Sequence, residues 1–147
     1  SQDQTVVAGT YDALTQGKEY FISNGAKRWI PLKVSGPFHS PLLKEAREEF
    51  ARIVAAVDFA EPAISLISNV TGEVVDSADE ARKLCVEQVT SPVQWTREEN
   101  TILALEIEQC LETGPGKVLS GLWKKTQASV PCIPAGTMDE INGLIEE

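Results

Sequence analysis

The sequence has few of the residues from which metal centres and covalent cross-links are built. Its 147 residues include one histidine and three cysteines, and no two cysteines form a C-x-x-C pair. The spacing of zinc ligands is therefore missing, so we expect neither a metal site nor a cofactor. The cysteines, Cys85, Cys110 and Cys132, are odd in number and far apart, which favours reduced packing residues and a cytoplasmic protein.

Basic residues are outnumbered, and long apolar runs are missing. The chain has 13 Lys and Arg against 22 Asp and Glu, which gives a net charge of −9. Because phosphate binding draws on clustered Lys and Arg, this balance argues against a broad nucleic-acid surface. No apolar run approaches the ~20 residues that a membrane helix needs. We therefore expect a globular protein that has neither nucleic acid nor a membrane as its partner.

Short apolar runs alternate with amphipathic helical patterns along the chain. The predicted strands cover residues 4–9, 27–34, 63–69, 110–113 and 130–135. The predicted helices cover residues 11–24, 42–57, 77–89, 96–108 and 117–125, with a last helix beginning at a capping box at 137–140. This order indicates an α/β fold with a mostly parallel sheet and helices on its faces.

The single histidine, His39, lies where an extended segment gives way to a helix. Gly36-Pro37 ends the extended run, and Ser40-Pro41 is typical of an N-cap followed by proline at the first helical position. A histidine at such a junction is held by rigid elements yet can face a cleft, which is a common place for a general base. On residue type alone, a packed or surface histidine is the more frequent alternative.

The chain lacks complete motifs for a nucleophile or a nucleotide. It contains no G-x-S-x-G, the elbow that exposes a catalytic serine. If His39 is a base, its nucleophile is therefore not in this chain. The segment 114–121, G-P-G-K-V-L-S-G, follows a strand and opens a helix, but it matches neither a P-loop nor a dinucleotide fingerprint. A tight turn that requires glycine is favoured there over nucleotide binding.

Six motifs, spread over nearly the whole chain, carry a family resemblance. They are V-V-A-G from Val6, G-A-K-R-W-I-P-L from Gly25, V-S-G-P-F-H-S-P-L from Val34, S-N-V-T-G from Ser68, P-V-Q-W-T from Pro92 and G-P-G-K-V-L-S-G-L from Gly114. In their order and spacing they resemble the malonyl-CoA:acyl carrier protein transacylases, which load malonyl groups for fatty acid biosynthesis.

The resemblance implies a ping-pong acyl transfer. A serine in a G-H-S-x-G elbow attacks the malonyl thioester, a histidine takes its proton, and malonyl then passes to the phosphopantetheine thiol of the carrier protein. His39 matches that histidine, and Gln88 matches a position whose backbone carbonyl accepts the other N–H of the ring. Phe38 matches the malonyl-selective pattern of related polyketide acyltransferase domains, where its bulk would crowd a branched acyl chain. Packing in the core is the alternative for Phe38.

The resemblance also implies a fold and a missing partner. In the family a small ferredoxin-like subdomain is inserted into a larger α/β-hydrolase-like one. Residues 1–33 match the second half of the small subdomain, strand–helix–strand, and residues 34–147 match the C-terminal part of the large one. The oxyanion-hole glutamine, the elbow and the arginine for the malonyl carboxylate have no counterpart here. We therefore expect the C-terminal portion of a nicked or split enzyme, inactive alone, whose partners are the serine-bearing N-terminal portion, malonyl-CoA and acyl carrier protein.

Two other functions stay open. The chain could be an acyltransferase fragment of a polyketide or fatty acid megasynthase, although its end at Glu147 favours a stand-alone enzyme. It could also be a non-catalytic module that docks an acidic carrier protein through local basic patches such as Lys117, Lys124 and Lys125.

Overall fold

A computed structural model describes residues 1–145 of the chain. The helices are α1 (Tyr11–Ser23), α2 (Lys44–Val54), α3 (Ala78–Glu87), α4 (Trp95–Ala104), α5 (Val118–Trp123) and α6 (Met138–Ile145). The strands are β1 (Cys110–Thr113) and β2 (Cys132–Ala135), and short 3₁₀ turns lie at Pro41–Leu43 and Lys124–Thr126. No helix within residues 1–145 is long and apolar enough to cross a membrane. The predicted subdomain 34–147 ends at residues 146 and 147, which lie outside the described residues.

The two strands form a parallel pair. Cys110 lies opposite Cys132 and Thr113 opposite Ala135. Parallel neighbours require a crossover connection, which α5 and the 3₁₀ turn after it provide. The strands predicted at 110–113 and 130–135 and their parallel arrangement are confirmed.

Glu112 fastens the crossover to the sheet. It lies in β1 and is 8% exposed, and its carboxylate accepts the backbone N–H groups of Leu119 at 2.9 Å and Ser120 at 2.7 Å. The Ser120 hydroxyl also donates to it. These hydrogen bonds lower the pKa of Glu112, because they favour its charged form. The carboxylate thereby stabilises the first turn of α5, whose N–H groups have no partner within the helix.

The turn between β1 and α5 requires glycine, as its sequence predicts. Gly114 and Gly116 adopt φ angles of +99° and +108°, a region that side chains with a Cβ rarely enter. A third glycine, Gly136, packs against this turn after β2. A Cβ placed on Gly136 would lie 1.9 Å from the carbonyl oxygen of Gly114. Only glycine fits at this contact.

Helices α2 and α3 pack against each other and bury Val54 and Leu84. Ser77 caps α3 by accepting the N–H of Glu80 at 3.1 Å. Arg82 of α3 reaches back past the end of α2, where it donates to the Val57 carbonyl at 3.3 Å. These contacts fix α3 relative to the segment that follows His39.

Three predicted strands, at residues 4–9, 27–34 and 63–69, do not form. The last of these segments has only an isolated antiparallel bridge between Ile67 and Val74. A strand requires a neighbour that continues its hydrogen-bond ladder. Within residues 1–145 the first two segments pair with no strand, and the third has only that one bridge. In the described chain residues 1–33 thus form a helix between two unpaired segments, and their place in a small subdomain stays a prediction.

Two predicted helices are shorter than their sequence patterns. The helix predicted at 42–57 begins as a 3₁₀ turn and ends at Val54, and the helix predicted at 96–108 ends at Ala104. Glu106 adopts a left-handed φ of +52°, which is incompatible with further helix. The same helix, α4, begins at Trp95, one residue earlier than predicted.

The described chain has a small interior and a large surface. Five apolar side chains are buried, Val54, Val75, Leu84, Trp123 and Ala135, and no side chain among residues 1–145 is fully enclosed. The accessible surface is 11027 Å² for a chain of 16.0 kDa. A folded monomer of this mass is expected to expose about 7,400 Å². Roughly 3,600 Å² of the surface is therefore in excess of that expectation.

Candidate active site at His39

His39 lies in a tight turn ahead of the 3₁₀ turn at Pro41. Its backbone is left-handed, with φ at +56°, which costs a residue with a side chain about 1 kcal/mol or more. Ser40 holds the turn, since its Oγ donates to the Pro37 carbonyl at 2.7 Å. The same oxygen accepts the Leu42 N–H at 3.4 Å, so the N-cap predicted at Ser40 is confirmed. The imidazole ring is left exposed at the surface.

The His39 ring is oriented by the backbone of α3. Its Nδ1 lies 2.8 Å from the carbonyl oxygen of Gln88, a residue 49 positions further along the chain. A carbonyl can only accept a hydrogen bond, so Nδ1 donates and the neutral ring keeps its free lone pair on Nε2. Among residues 1–145 the ring makes no other hydrogen bond. The arrangement leaves Nε2 able to take a proton from a group outside the described chain.

The position of Gln88 at the end of α3 adds an electrostatic contribution to its hydrogen bond with His39. Gln88 is the C-cap residue of α3, and carbonyl oxygens at the end of a helix carry partial negative charge. That partial charge faces the Nδ1–H of the His39 ring and strengthens the hydrogen bond that orients the ring. In serine hydrolases a buried carboxylate holds the ring in this way. Here a neutral carbonyl at the end of a helix dipole occupies that place.

Phe38 lies directly before His39 and is 53% exposed. Within residues 1–145 the ring is therefore not part of a packed core. Phe38 thus presents an apolar side chain to the surface at the position next to His39 in the chain. Gln88 also lines a cavity of about 400 Å³, whose other lining side chains are largely apolar, among them Leu84 and Leu66.

Two of the three lysines in the predicted docking patches are already ion-paired. Lys117 Nζ lies 2.9 Å from the Glu140 carboxylate, and Lys125 Nζ lies 2.7 Å from the carboxylate of Asp3. Lys124 is exposed. A carrier protein that used Lys117 or Lys125 would have to compete with these carboxylates.

Two glutamates at the start of α4 are buried, which their sequence did not predict. Glu98 and Glu99 are 7% and 4% exposed, and each has one carboxylate oxygen with no hydrogen-bond partner in the described chain. Burial raises the pKa of Glu98, and the adjacent Glu99 charge raises it further. No group of three or more metal-ligating side chains occurs within residues 1–145.

No protein-family model matches the chain, but individual proteins do. The chain is 37% identical over 143 residues to the malonyl CoA-acyl carrier protein transacylase of Bacillus subtilis strain 168, and the match covers 97% of the chain and 45% of that protein. The crystal structure of the Streptococcus pneumoniae malonyl-CoA:acyl carrier protein transacylase superposes with a TM-score of 0.87 and 33% identity, covering 94% of this chain and 45% of that one. A malonyl-transacylase in complex with a type II polyketide acyl carrier protein superposes with a TM-score of 0.85 and 31% identity, covering 95% and 45%.

These similarities show the fold to be that of the carboxyl-terminal part of an acyltransferase domain, which is α/β with parallel strands. The chain is homologous to the carboxyl-terminal portion of the malonyl-CoA:acyl carrier protein transacylases and spans about 45% of their length.

Proposed function

We propose that this chain supplies the general base of a malonyl-CoA:acyl carrier protein transacylase, and that His39 is that base. The observation that carries the proposal is the 2.8 Å contact from Nδ1 of His39 to the Gln88 carbonyl, which leaves Nε2 free. A nucleophilic serine is inert without such a base. The serine would come from the portion of the homologues that this chain does not match, whether on the same polypeptide or on a separate one.

The proposed chemistry has two matching halves. As the serine Oγ forms its bond to the malonyl carbonyl carbon, its proton moves to Nε2 of His39, and the carbon–sulfur bond to coenzyme A breaks. The proton then passes to the departing sulfur. In the second half Nε2 takes the proton of the phosphopantetheine thiol, and the thiolate attacks the carbonyl carbon of the malonyl-serine ester. The bond from that carbon to the serine Oγ breaks, and His39 returns the proton to Oγ. General base catalysis of this kind contributes about 10²–10⁴-fold, and the Gln88 carbonyl holds the ring by its Nδ1 in both halves.

The surface of the chain supports association with a complementary portion. The roughly 3,600 Å² above the area expected for a monomer is several times the ~800 Å² per partner of a standard interface. It is of the size expected when one hydrophobic core is divided. The apolar side of α2 and of the 3₁₀ turn before it is part of this surface, with Ile53 of α2 exposed by 66% and Leu42 of the turn by 54%. The complement would cover this side, which the sequence pattern marks as inward-facing.

Residues 1–33 would form half of a small subdomain. Helix α1 buries none of its residues in the described chain. Phe21 of α1 stacks on Trp29, with ring centroids 5.5 Å apart, so the segment that follows α1 folds back against it. The flanking segments 4–9 and 27–34 would become strands when the complement provides neighbours for their backbone groups.

Partners and specificity follow from the same site. The complex of a related transacylase with an acyl carrier protein supports a carrier protein as the acceptor here, with malonyl-CoA as donor. Phe38, open beside His39, would reject branched acyl chains, a discrimination worth about 1–3 kcal/mol for one methylene-sized group. The free thiols of Cys85, Cys110 and Cys132 are consistent with work in the cytoplasm.

The test is complementation. The chain is combined with a second polypeptide that carries G-H-S-x-G, and malonyl transfer to a phosphopantetheine-bearing carrier protein is followed by mass spectrometry. We expect transfer by the combined chains, none by either alone, and a fall of about 10²–10⁴-fold with His39→Asn. Asparagine tolerates the left-handed backbone, so the variant removes the base with little change of the turn. Gln127, also left-handed at φ +57°, gives the control Gln127→Ala, which should leave transfer intact.

A non-catalytic docking module predicts a different result. It would bind the carrier protein equally well with His39→Asn, and a stable complex of the two polypeptides would transfer no malonyl group. That pair of outcomes would overturn the proposal.

A further inference from the structure

Ser40 is the buried neighbour of the exposed His39. Only 6% of Ser40 is accessible, and its hydroxyl is occupied by the local backbone. It donates to the Pro37 carbonyl at 2.7 Å and accepts the Leu42 N–H at 3.4 Å. The Ser40 carbonyl accepts the Leu43 N–H at 3.1 Å. One side chain therefore ties together the chain before and after His39.

His39 needs this support because its backbone is left-handed. Such a conformation persists in a residue with a side chain only when the surroundings enforce it. The same conformation sets the direction of the Cα–Cβ bond, and so decides whether Nδ1 reaches the Gln88 carbonyl at 2.8 Å. Hydrogen bonds weaken steeply as their angle closes. A small rotation of the turn would therefore release the ring.

We propose that Ser40 is a positioning residue: its hydroxyl closes the turn from Pro37 to Leu42 so that His39 keeps Nδ1 on Gln88 and presents Nε2 outward. The inference deepens the proposed function, because the orientation of the ring matters only if the ring is the base. Ser40 touches no reacting atom and acts entirely through the backbone of His39.

The first test reads the ring directly and needs no activity. The sequence contains one histidine, so the chain labelled with ¹⁵N-histidine gives a single set of ring signals. We expect the neutral wild-type ring to carry its proton on Nδ1, as the Gln88 carbonyl dictates. Ser40→Ala should shift the ring toward protonation on Nε2 and speed exchange of the Nδ1 proton at least tenfold. An unchanged tautomer and exchange rate in Ser40→Ala would overturn the proposal.

Two further variants separate positioning from loss of folding. Ser40→Thr keeps the hydroxyl and should restore the wild-type tautomer. Ser68 is a matched control, since it is 9% exposed and its Oγ accepts the Val70 N–H at 3.1 Å, remote in sequence from His39. Ser68→Ala should leave the ring signals unchanged. If Ser40→Ala fails to fold, Ser40→Cys replaces it, because cysteine is similar in size to serine but a weak donor. We expect Ser40→Cys to shift the His39 ring in the same direction, toward protonation on Nε2.

The second test uses the complemented enzyme. Ser40→Ala should lower kcat for malonyl transfer about 10–100-fold, the range seen when a reacting group is slightly misplaced, with KM for malonyl-CoA within about twofold. Ser40→Thr should recover most of kcat. A rise in KM with kcat unchanged would contradict positioning of the base. If the wild-type assembly transfers nothing while the NMR changes occur as expected, the proposed function fails and the role of Ser40 in holding the ring stands.

Discussion

Gln88 holds His39 through its backbone and not through its side chain. The acceptor for Nδ1 is the carbonyl oxygen, 2.8 Å away, at the end of α3. We therefore expect Gln88→Ala to reduce transfer by less than about threefold in the complemented enzyme, since a carbonyl is present whatever the side chain and loss of the base would cost about 10²–10⁴-fold.

A second variant, Ser77→Ala, acts on α3, the helix that carries the Gln88 carbonyl. It removes the cap of α3 and should lower the free energy of unfolding by about 1 kcal/mol, measured by urea unfolding. A large loss of activity in Gln88→Ala, with the tautomer of His39 unchanged, would mean that the amide side chain has a role which the backbone contact does not explain.

Gly136 should tolerate no side chain. A Cβ there would lie 1.9 Å from the Gly114 carbonyl oxygen, and overpacking of this kind costs about 1–3 kcal/mol or more. Gly136→Ala should lower the urea midpoint accordingly. Gly143, in α6, has nothing within 4 Å of an added Cβ, so Gly143→Ala should stabilise by up to about 1 kcal/mol. Equal midpoints for the two variants would show that the turn after β1 can move aside.

Glu98 should make the chain less stable as the pH rises. Burial and the adjacent Glu99 raise the pKa of Glu98 in the folded state above its unfolded value. Folding is therefore favoured while the carboxyl is protonated, and this contribution is lost as the pH rises through the raised pKa. Glu98→Gln removes the dependence and should be more stable than wild type at pH 7.5 but similar at pH 4. The exposed Glu45 gives the control Glu45→Gln.

Glu112 should show the opposite dependence. The Ser120 and Leu119 hydrogen bonds lower the pKa of Glu112 in the folded state. The contribution of Glu112 to stability is present above the pKa of the unfolded state. It is lost as the pH falls through the lowered pKa of the folded state. Glu112→Gln should therefore destabilise the chain at neutral pH and make its unfolding midpoint less sensitive to acid. A midpoint that falls equally at pH 7 and pH 3 would assign the loss to geometry instead of charge.

Local signals in the sequence predicted local structure well. The N-cap at Ser40 and the capping box of Thr137 with Glu140 depend on residues two or three apart, and both are present. The parallel strands 110–113 and 130–135 were also predictable, because both partners lie within the chain.

The predictions that failed concern structure that depends on residues far apart in the sequence. The segments at 4–9, 27–34 and 63–69 read as strands from their composition, but composition cannot provide a neighbouring strand. The burial of Glu98 and Glu99 has no local signal in the sequence, because it results from tertiary packing. The pairing of His39 with Gln88 spans 49 residues. Only the family resemblance pointed to it, and their roles in transfer remain predictions.

The backbone of His39 also bears on how such a chain would diverge. The left-handed turn at φ +56° is adopted most readily by glycine and asparagine, and neither can accept a proton from serine. Folding and chemistry therefore favour different residues at one position. A descendant released from selection for transfer would be expected to drift toward asparagine or glycine at position 39 and become more stable. The residue at position 39 of a diverged homologue would then indicate whether that homologue is still an enzyme.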